Sequence, residues 1–369
     1  MDNLPRFITP IMRVVGNFCN LRCQYCFYRG DDQATPHLMG LDVLHKAIQD
    51  ITSYNIQQGN RLVEFIWHGG EPLLAGIQFF ETVVRIQNDL QLSKAVSFVN
   101  SIQTNGTLIN QEWASFFARN RFQVGVSLDG LPHLHNRYRI DVRGEGSWDL
   151  SLRGYRILKE FGINPGIIVV VHAETIPFAK EIVRYLYNEV KVGSIAFSPF
   201  IDPDSTLGLL PLDYQKFLKE VLDVWMEIDS QDLQIREIDD FLNLSQGIQP
   251  SGCVFNGSCA SYLSVQPNGD VYPCSRLQFK PDLLFGNLLN QGLSKILKSE
   301  GYLRFKRFVS SLPDSCRRCE LSKSCNNGCT AYRFNGKYYF CETRRKFSKI
   351  VRREIGDLLK VILEVEHEK

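Results

Sequence analysis

Cys19-x3-Cys23-x2-Cys26 puts three thiols into one short loop. Thiolates on so short a loop suit a cubane iron–sulfur cluster, whose four irons ask for four ligands. Three cysteines with no nearby fourth leave one iron open to an exogenous group. A structural zinc site would want that fourth protein ligand. The other eight of the eleven cysteines lie between Cys253 and Cys341. They run as Cys253, Cys259 and Cys274, then Cys316-x2-Cys319-x5-Cys325-x3-Cys329, then Cys341. Eight thiols can hold two four-iron clusters or two zinc ions, because C-x2-C is also a zinc spacing. An odd total excludes complete disulfide pairing. The N-terminus MDNLPRFITP carries no basic stretch followed by an apolar core, as a secretory signal would. No apolar run approaches the ~18 residues of a membrane span. The expectation is a cytoplasmic chain with no membrane partner, in which clustered cysteines bind metal or do redox work.

The elements that must position these thiols follow from periodicity. Strand-like runs at 8–15, 62–67, 96–102, 123–128, 166–172 and 194–200 alternate with helix candidates at 41–58, 76–90, 110–119, 147–161 and 177–190. That alternation predicts an α/β fold with a parallel sheet. Several runs end in polar or Gly-rich turns (WHGGEP, QTNGT, SLDG), and the carboxyl ends of parallel strands are where α/β barrels place their chemistry. A partial, TIM-like (β/α)6 barrel and a doubly wound sheet both fit the pattern. Residues 211–229 read as an amphipathic helix leading out of the barrel. From 251 the texture changes to short strands, with a hairpin at 262–274 turning at Asn268-Gly269, and 342–366 reads as a basic helix with a solvated face over a small Cys-rich domain. The expected boundaries are 1–205 for the barrel, 206–250 for a helical bridge and 251–369 for the Cys-rich domain. With 42 Lys+Arg against 40 Asp+Glu, the net charge of +2 leaves no electrostatic footprint for nucleic acid.

The triad, the aromatic Phe27 after it and its place behind the first strand resemble the signature of the radical S-adenosylmethionine (SAM) superfamily. There the open iron chelates the amino and carboxylate groups of SAM. Gly69-Gly70-Glu71-Pro72 is similar to that family's GGEP motif, which meets the methionine amino group. The C-terminal cysteines resemble the SPASM extension of peptide-modifying members. By that resemblance Cys253, Cys259, Cys274 and Cys329 hold a first auxiliary cluster and Cys316, Cys319, Cys325 and Cys341 a second. The implied cofactors are three [4Fe-4S] clusters and SAM. Resemblance to the anaerobic sulfatase-maturating enzymes extends through CNLRCQYCFYRG, GGEPLLAGIQFFE, SIQTNGTLI, VGVSLDG, HNRYR, NGSC and NGDVYPC. It implies SAM contacts at Tyr25, Gly70, Ser127, Arg139 and Ile201, with Gly69, Glu71 and Asn105 as further candidates.

The family chemistry makes a 5′-deoxyadenosyl radical that abstracts a hydrogen atom from a peptide residue. In sulfatase maturases an aspartate, the presumed base, follows the third auxiliary cysteine; here that position is Ser275, a poor base without a partner. Asp202, Glu237, Asp239 and Asp240 are the candidates for a replacement. On this ground the sequence reading prefers a maturase of ribosomally made peptides that forms a side-chain crosslink (cyclophane or related), with two closed clusters taking the second electron. Formylglycine synthesis from Cys or Ser is its alternative, and a non-catalytic iron–sulfur protein is the alternative of another class. The implied partners are a precursor peptide and a low-potential electron donor such as flavodoxin or ferredoxin.

Overall fold

A computed structural model of the protein describes residues 4–28, 37–250, 252–277 and 280–367. Arg29 and Gly30 of the first motif lie outside them. The chain begins as repeated strand–helix units: β1 (Thr9–Arg13), α1 (Leu41–Gln57), β2 (Leu62–His68), α2 (Ile77–Lys94), β3 (Ser97–Thr104), α3 (Gln111–Arg119) and β4 (Gln123–Ser127). Helices α4 (Pro132–Tyr138) and α5 (Trp148–Glu160) precede β5 (Gly166–Val171), α6 (Ala179–Tyr185) and β6 (Ser194–Pro199). Then come α7 (Pro211–Ile228), β7 (Gln234–Ile235), α8 (Arg236–Ser245), β8 (Tyr262–Val265), β9 (Asp270–Tyr272) and β10 (Gly286–Asn287). The last elements are α9 (Leu288–Ile296), α10 (Glu300–Ser310), β11 (Arg333–Phe334), β12 (Lys337–Tyr338) and α11 (Cys341–His367).

These elements pack as two compact units interleaved in sequence, Met1–Ile168 with Ser258–Val309, and Val169–Gly257 with Ser310–Lys369. Composition changes at 251, whereas packing changes at 258.

In the first unit β1 to β5 are parallel neighbours in strict sequence order. A doubly wound sheet reverses its order at a switch point, so sequential order selects the barrel-type winding of the two that periodicity allows. The 262–274 hairpin forms as β8 and β9 around Gly269, whose φ of 88° suits the turn. It joins the same sheet, because β8 pairs in parallel with the free edge of β1, Ile11 opposite Ser264. The second unit carries β6 paired with β7 and the small β11–β12 ribbon.

Alternation within the strands separates core from cavity face. In β2, Val63, Phe65 and Trp67 are buried against the helix layer, where Trp67 meets Phe80 of α2 edge-on and donates its indole N–H to Asn100. Ile66 and His68 take the opposite face. Helix α1 buries Val43, Leu44, Ala47, Ile48 and Ile51, one stripe at helical spacing. Helix α3 starts where Asn110 caps it, its side chain accepting the Trp113 N–H.

Candidate active site

The Cys19–Cys26 loop leaves β1 and is held in place by backbone. Gly70 N–H donates to Gly16 O at 2.8 Å and Glu71 N–H to Phe18 O at 2.9 Å. A Cβ on Gly70 would stand 1.8 Å from Phe18 O. The glycine is therefore required by the neighbouring cysteine loop itself. Glu71 is fully buried and staples two strand ends together: its carboxylate accepts from Leu73 N at 3.0 Å, Thr104 Oγ1 at 2.8 Å and Asn105 N at 2.8 Å. Burial pushes its pKa up to about 7 against those donors. With both oxygens engaged by its own chain, Glu71 shapes the site more than it offers a free carboxylate.

Asn105 ties strand β3 to the cysteine loop, donating to Asn20 Oδ1 at 2.8 Å and lying 3.8 Å from Cys19 Sγ. Asn20 in turn donates to Thr107 Oγ1. The Gln103-Thr104-Asn105 segment thus splits three ways: Gln103 reaches Ser127 Oγ at 3.1 Å, Thr104 holds Glu71 and Asn105 holds the loop.

Arg139 follows α4 and is buried with Asp129, its Nε donating to Oδ2 at 2.8 Å. Tyr25 OH donates to the same oxygen, and the Arg139 guanidinium lies over the Tyr25 ring at 5.5 Å. Burial alone would raise the Asp129 pKa, but Arg139 and His135 hold it below the ordinary value. Asp129 N–H donates to His135 Nδ1, so the neutral ring presents Nε2–H to Ser147 Oγ, which donates to Arg139 O. Sequence reasoning quoted SLDG without giving Asp129 a role. Cys19, Cys23 and Cys26 therefore share the first unit with Tyr25, Gly69, Gly70, Glu71, Asn105, Ser127 and Arg139. Ile201 lies after β6 in the second unit.

On the other side of Cys26 stands a cationic group absent from the sequence reading. Arg13 is 1% exposed, lies over the Tyr28 ring at 4.2 Å and donates to Gly16 O, Asn17 Oδ1 and Gln266 Oε1. Among the described residues its Nε has no hydrogen-bond partner. His68 accepts the Gly69 N–H at Nδ1, and burial followed by Arg13 and Arg276 lowers its pKa to about 4. Ser275, 7% exposed, faces the Tyr28 phenol.

In the second unit Cys316, Cys319, Cys325 and Cys341 line one cavity of about 400 Å³. Cys341 opens α11, and Arg344, one turn on, is buried and donates to Cys325 Sγ at 3.2 Å. The basic stretch read as a solvated face thus turns one arginine inward, while Arg345, Lys346 and Lys349 stay outside. Of the first auxiliary set, Cys259 and Cys274 belong to the first unit and Cys253 and Cys329 to the second. Three of the four candidate replacement bases hold backbone: Glu237 accepts Phe197 N–H and pairs with Arg236, Asp240 accepts Gly252 N–H, and Asp202 closes its own turn onto Asp204, while burial, with Asp240 and Glu237 adding to it, raises the pKa of Asp239.

Residues 14–186 match the radical SAM superfamily and residues 253–320 match an iron–sulfur cluster-binding SPASM domain. The serine-type anaerobic sulfatase-maturating enzyme of Klebsiella aerogenes is 30% identical over 89% of this chain and 83% of its own length. This chain belongs to the radical SAM/SPASM family of those maturating enzymes. The cysteine-type enzyme of Clostridium perfringens is 28% identical over 91% of this chain and 94% of its own. Native anSMEcpe with bound AdoMet superposes with a TM-score of 0.86 at 27% identity, over 96% of this chain and all of that one. The same protein with AdoMet and the Cp18Cys peptide gives 0.85. These relatives are sulfatase-maturating enzymes, so the comparisons back the sulfatase-maturating alternative ahead of the crosslinking that Ser275 suggested.

SAM and [4Fe-4S] clusters are the cofactors of a radical SAM/SPASM enzyme, and the donor sets fit them. Burial, with Glu71 adding to it, pushes the Cys19 thiol up to about 12; burial pushes Cys23 up to about 11 in spite of Arg139. Such thiols ionise when a metal takes the proton's place. Beside two of the three sets lies a buried guanidinium, Arg13 near Cys26 and Arg344 at Cys325, with no ion pair to a carboxylate among the described residues, and such a buried cation calls for an anionic group nearby. No helix among the described residues is long and apolar enough to cross a membrane.

Proposed function

We propose that this chain is an anaerobic maturase that oxidises a Cys or Ser side chain of a protein substrate to formylglycine. The observation that carries the reading is the extent of the likeness: relatives of both the cysteine and the serine type align with about nine-tenths of the chain, and native anSMEcpe, which superposes on it, has been solved with a peptide bound. In this reading Cys19, Cys23 and Cys26 hold the SAM-binding cluster. Cys253, Cys259, Cys274 and Cys329 hold the first auxiliary cluster, and Cys316, Cys319, Cys325 and Cys341 the second. Bound cluster and SAM together supply hydrogen-atom abstraction from an unactivated C–H bond.

The chain's own part is placement. Asp129 fixes the Nε edge of Arg139 and leaves the Nη groups as the edge for a SAM carboxylate. Tyr25, Gly70, Ser127 and Ile201 complete the proposed SAM contacts. Asn105 and Asn20 hold the Cys19 end of the loop, and Glu71 fixes the strand ends beneath it. A low-potential carrier of the flavodoxin or ferredoxin kind supplies the first electron.

A second reading, intramolecular crosslinking of a ribosomal peptide, is favoured by the surroundings of Ser275. Tyr28, Arg13, Arg276 and His68 are grouped there, and His68 with its Nδ1 occupied presents an N–H instead of a base. One experiment separates the readings. The anaerobically reconstituted enzyme, SAM and dithionite are incubated with sulfatase-motif peptides carrying Cys or Ser, and separately with the small peptide encoded beside its gene. A hydrazide-trappable aldehyde on the sulfatase peptide is the expected product. Loss of two hydrogens from the neighbouring peptide, with fragments that refuse to separate between two residues, establishes the crosslink instead. If 5′-deoxyadenosine never forms, the chain does not turn over and both readings fall.

A further inference from the structure

Among the described residues three arginines of the two cysteine-bearing regions are buried, and one of the three meets a carboxylate. Arg139 has Asp129. Arg13 and Arg344, at 1% and 4% exposure, form no ion pair among the described residues. Removing a guanidinium from water without a counter-charge costs several kcal/mol, and the guanidinium does not escape the cost by losing its proton. A chain that buries two such groups, each next to a set of metal-binding thiols, places its compensating negative charge where those thiols are.

Arg344 shows the arrangement in most detail. It projects from the first turn and a half of α11, whose first residue is Cys341. Nη1 donates to Val254 O at 3.0 Å, to Cys325 O at 3.4 Å and to Cys325 Sγ at 3.2 Å. Two rings lie against the guanidinium, Phe255 at 3.9 Å and Tyr338 at 4.6 Å from its central carbon. They fix it sterically and keep water from it. A neutral thiol is a weak acceptor, whereas a thiolate that ligates iron is anionic, and its hydrogen bond with a guanidinium is charge-assisted. Hydrogen bonds to cluster sulfurs are one of the protein's means of setting reduction potential.

We propose that Arg344 is the counter-cation of the group held by Cys316, Cys319, Cys325 and Cys341, and that it raises the reduction potential there so that this group accepts the substrate's second electron. The proposal rests on the reading of these four cysteines as a [4Fe-4S] site. Oxidation of the substrate removes two hydrogens in total. One leaves as a hydrogen atom to the SAM-derived group, and the other leaves as a proton to solvent with its electron passing to an iron–sulfur acceptor. With an acceptor at too low a potential the electron stays on the substrate radical, which is then quenched by one electron from the external reductant and one proton from solvent, so 5′-deoxyadenosine forms without oxidised product. Arg344 is thus a positioning residue that acts through Cys325 without touching substrate. Arg13, over the Tyr28 ring and likewise without an ion pair among the described residues, is the buried guanidinium of the first unit.

The test uses the full-length, anaerobically reconstituted enzyme. Arg344→Met removes the charge and nearly preserves the volume, and Arg344→Lys keeps the charge but loses the planar fork. In redox titrations followed by EPR, the C-terminal cluster of Arg344→Met shifts to lower potential, and Arg344→Lys shifts the same way by less. SAM cleavage in Arg344→Met stays within about twofold of wild type, while oxidised product per 5′-deoxyadenosine falls about tenfold. If Arg344→Met fails to retain its iron, Arg344→Lys carries the test alone through its smaller shift. An unchanged potential in a variant that keeps its iron overturns the role of Arg344. Iron well below about twelve per chain in the wild type, with the C-terminal cluster signal missing, overturns the cluster assignment beneath it.

Discussion

His135 keeps the interior around Asp129 and Arg139 free of a further charge. Its Nδ1 accepts a backbone N–H and its Nε2–H is consumed by Ser147, so a second ring proton would break the first bond. Burial, with Arg139 adding to it, lowers its pKa from 6.5 to about 3. The unfolded chain takes up a proton below 6.5 that the folded chain refuses until about 3, so stability is full above 6.5 and declines as pH falls through that window. The decline from this residue amounts to at most about 1.4 kcal/mol per pH unit. In denaturant unfolding at pH 7 and pH 4.5, His135→Gln should show a shallower pH dependence than wild type; equal slopes would place the acid sensitivity elsewhere. Residue types with fixed spacing were legible at this scale: the cysteine triad, the GGEP turn and the C-terminal cysteines are enough to place the chain among radical SAM/SPASM proteins. Arg13, Asp129 and Arg344 were not, because what makes them notable is burial against partners distant in sequence. Nothing in RRKFSKIVRR marks which arginine of the stretch turns inward.

At the scale of elements, the loop after β1 and the loop after β2 behave as one piece, joined by two backbone hydrogen bonds and by the contact at Gly70. Gly70 has no left-handed φ to preserve, so Gly70→Ala acts through space alone. The new methyl would overlap Phe18 O and displace the cysteine loop. Expected are loss of iron from the Cys19–Cys26 site and a fall of about tenfold or more in SAM cleavage. Gly301→Ala is the control: its Cβ makes ordinary contacts in α10, and the helix gains about 0.5–1 kcal/mol. Full activity in Gly70→Ala would mean that the loop yields easily. Strand and helix periodicity in the first two hundred residues was legible because each βα unit buries its own stripe locally. The bounds moved by a few residues where side chains cap the ends, as at Asn110. The predicted helix at 177–190 divides into the end of a 3-10 segment at Ala173–Phe178, which contains Pro177, then α6 and a π turn at Leu186–Val190.

At the scale of the whole molecule, residues 258–309 complete the unit that begins at the N-terminus. They give β1 its second neighbour, give Arg13 its bond to Gln266, and cover α1 with α9, where Leu293 N–H donates to Asp50 at 2.9 Å. A fragment ending at residue 250 should therefore be poorly soluble and melt without a cooperative transition, measured by soluble yield and thermal denaturation. A well-behaved fragment would show the barrel to be autonomous. Composition alone placed a boundary at 251, because pairing between strands far apart in sequence leaves no local trace. Strand β1 meets β2 about 55 residues later but β8 only about 250 residues later. At ~5–20 residues per second of synthesis, roughly 10–40 s separate the two partners as they leave the ribosome. Throughout that interval the growing chain presents an open strand edge beside the Cys19–Cys26 loop, and whatever shields the edge or delivers iron to the loop has that long to act.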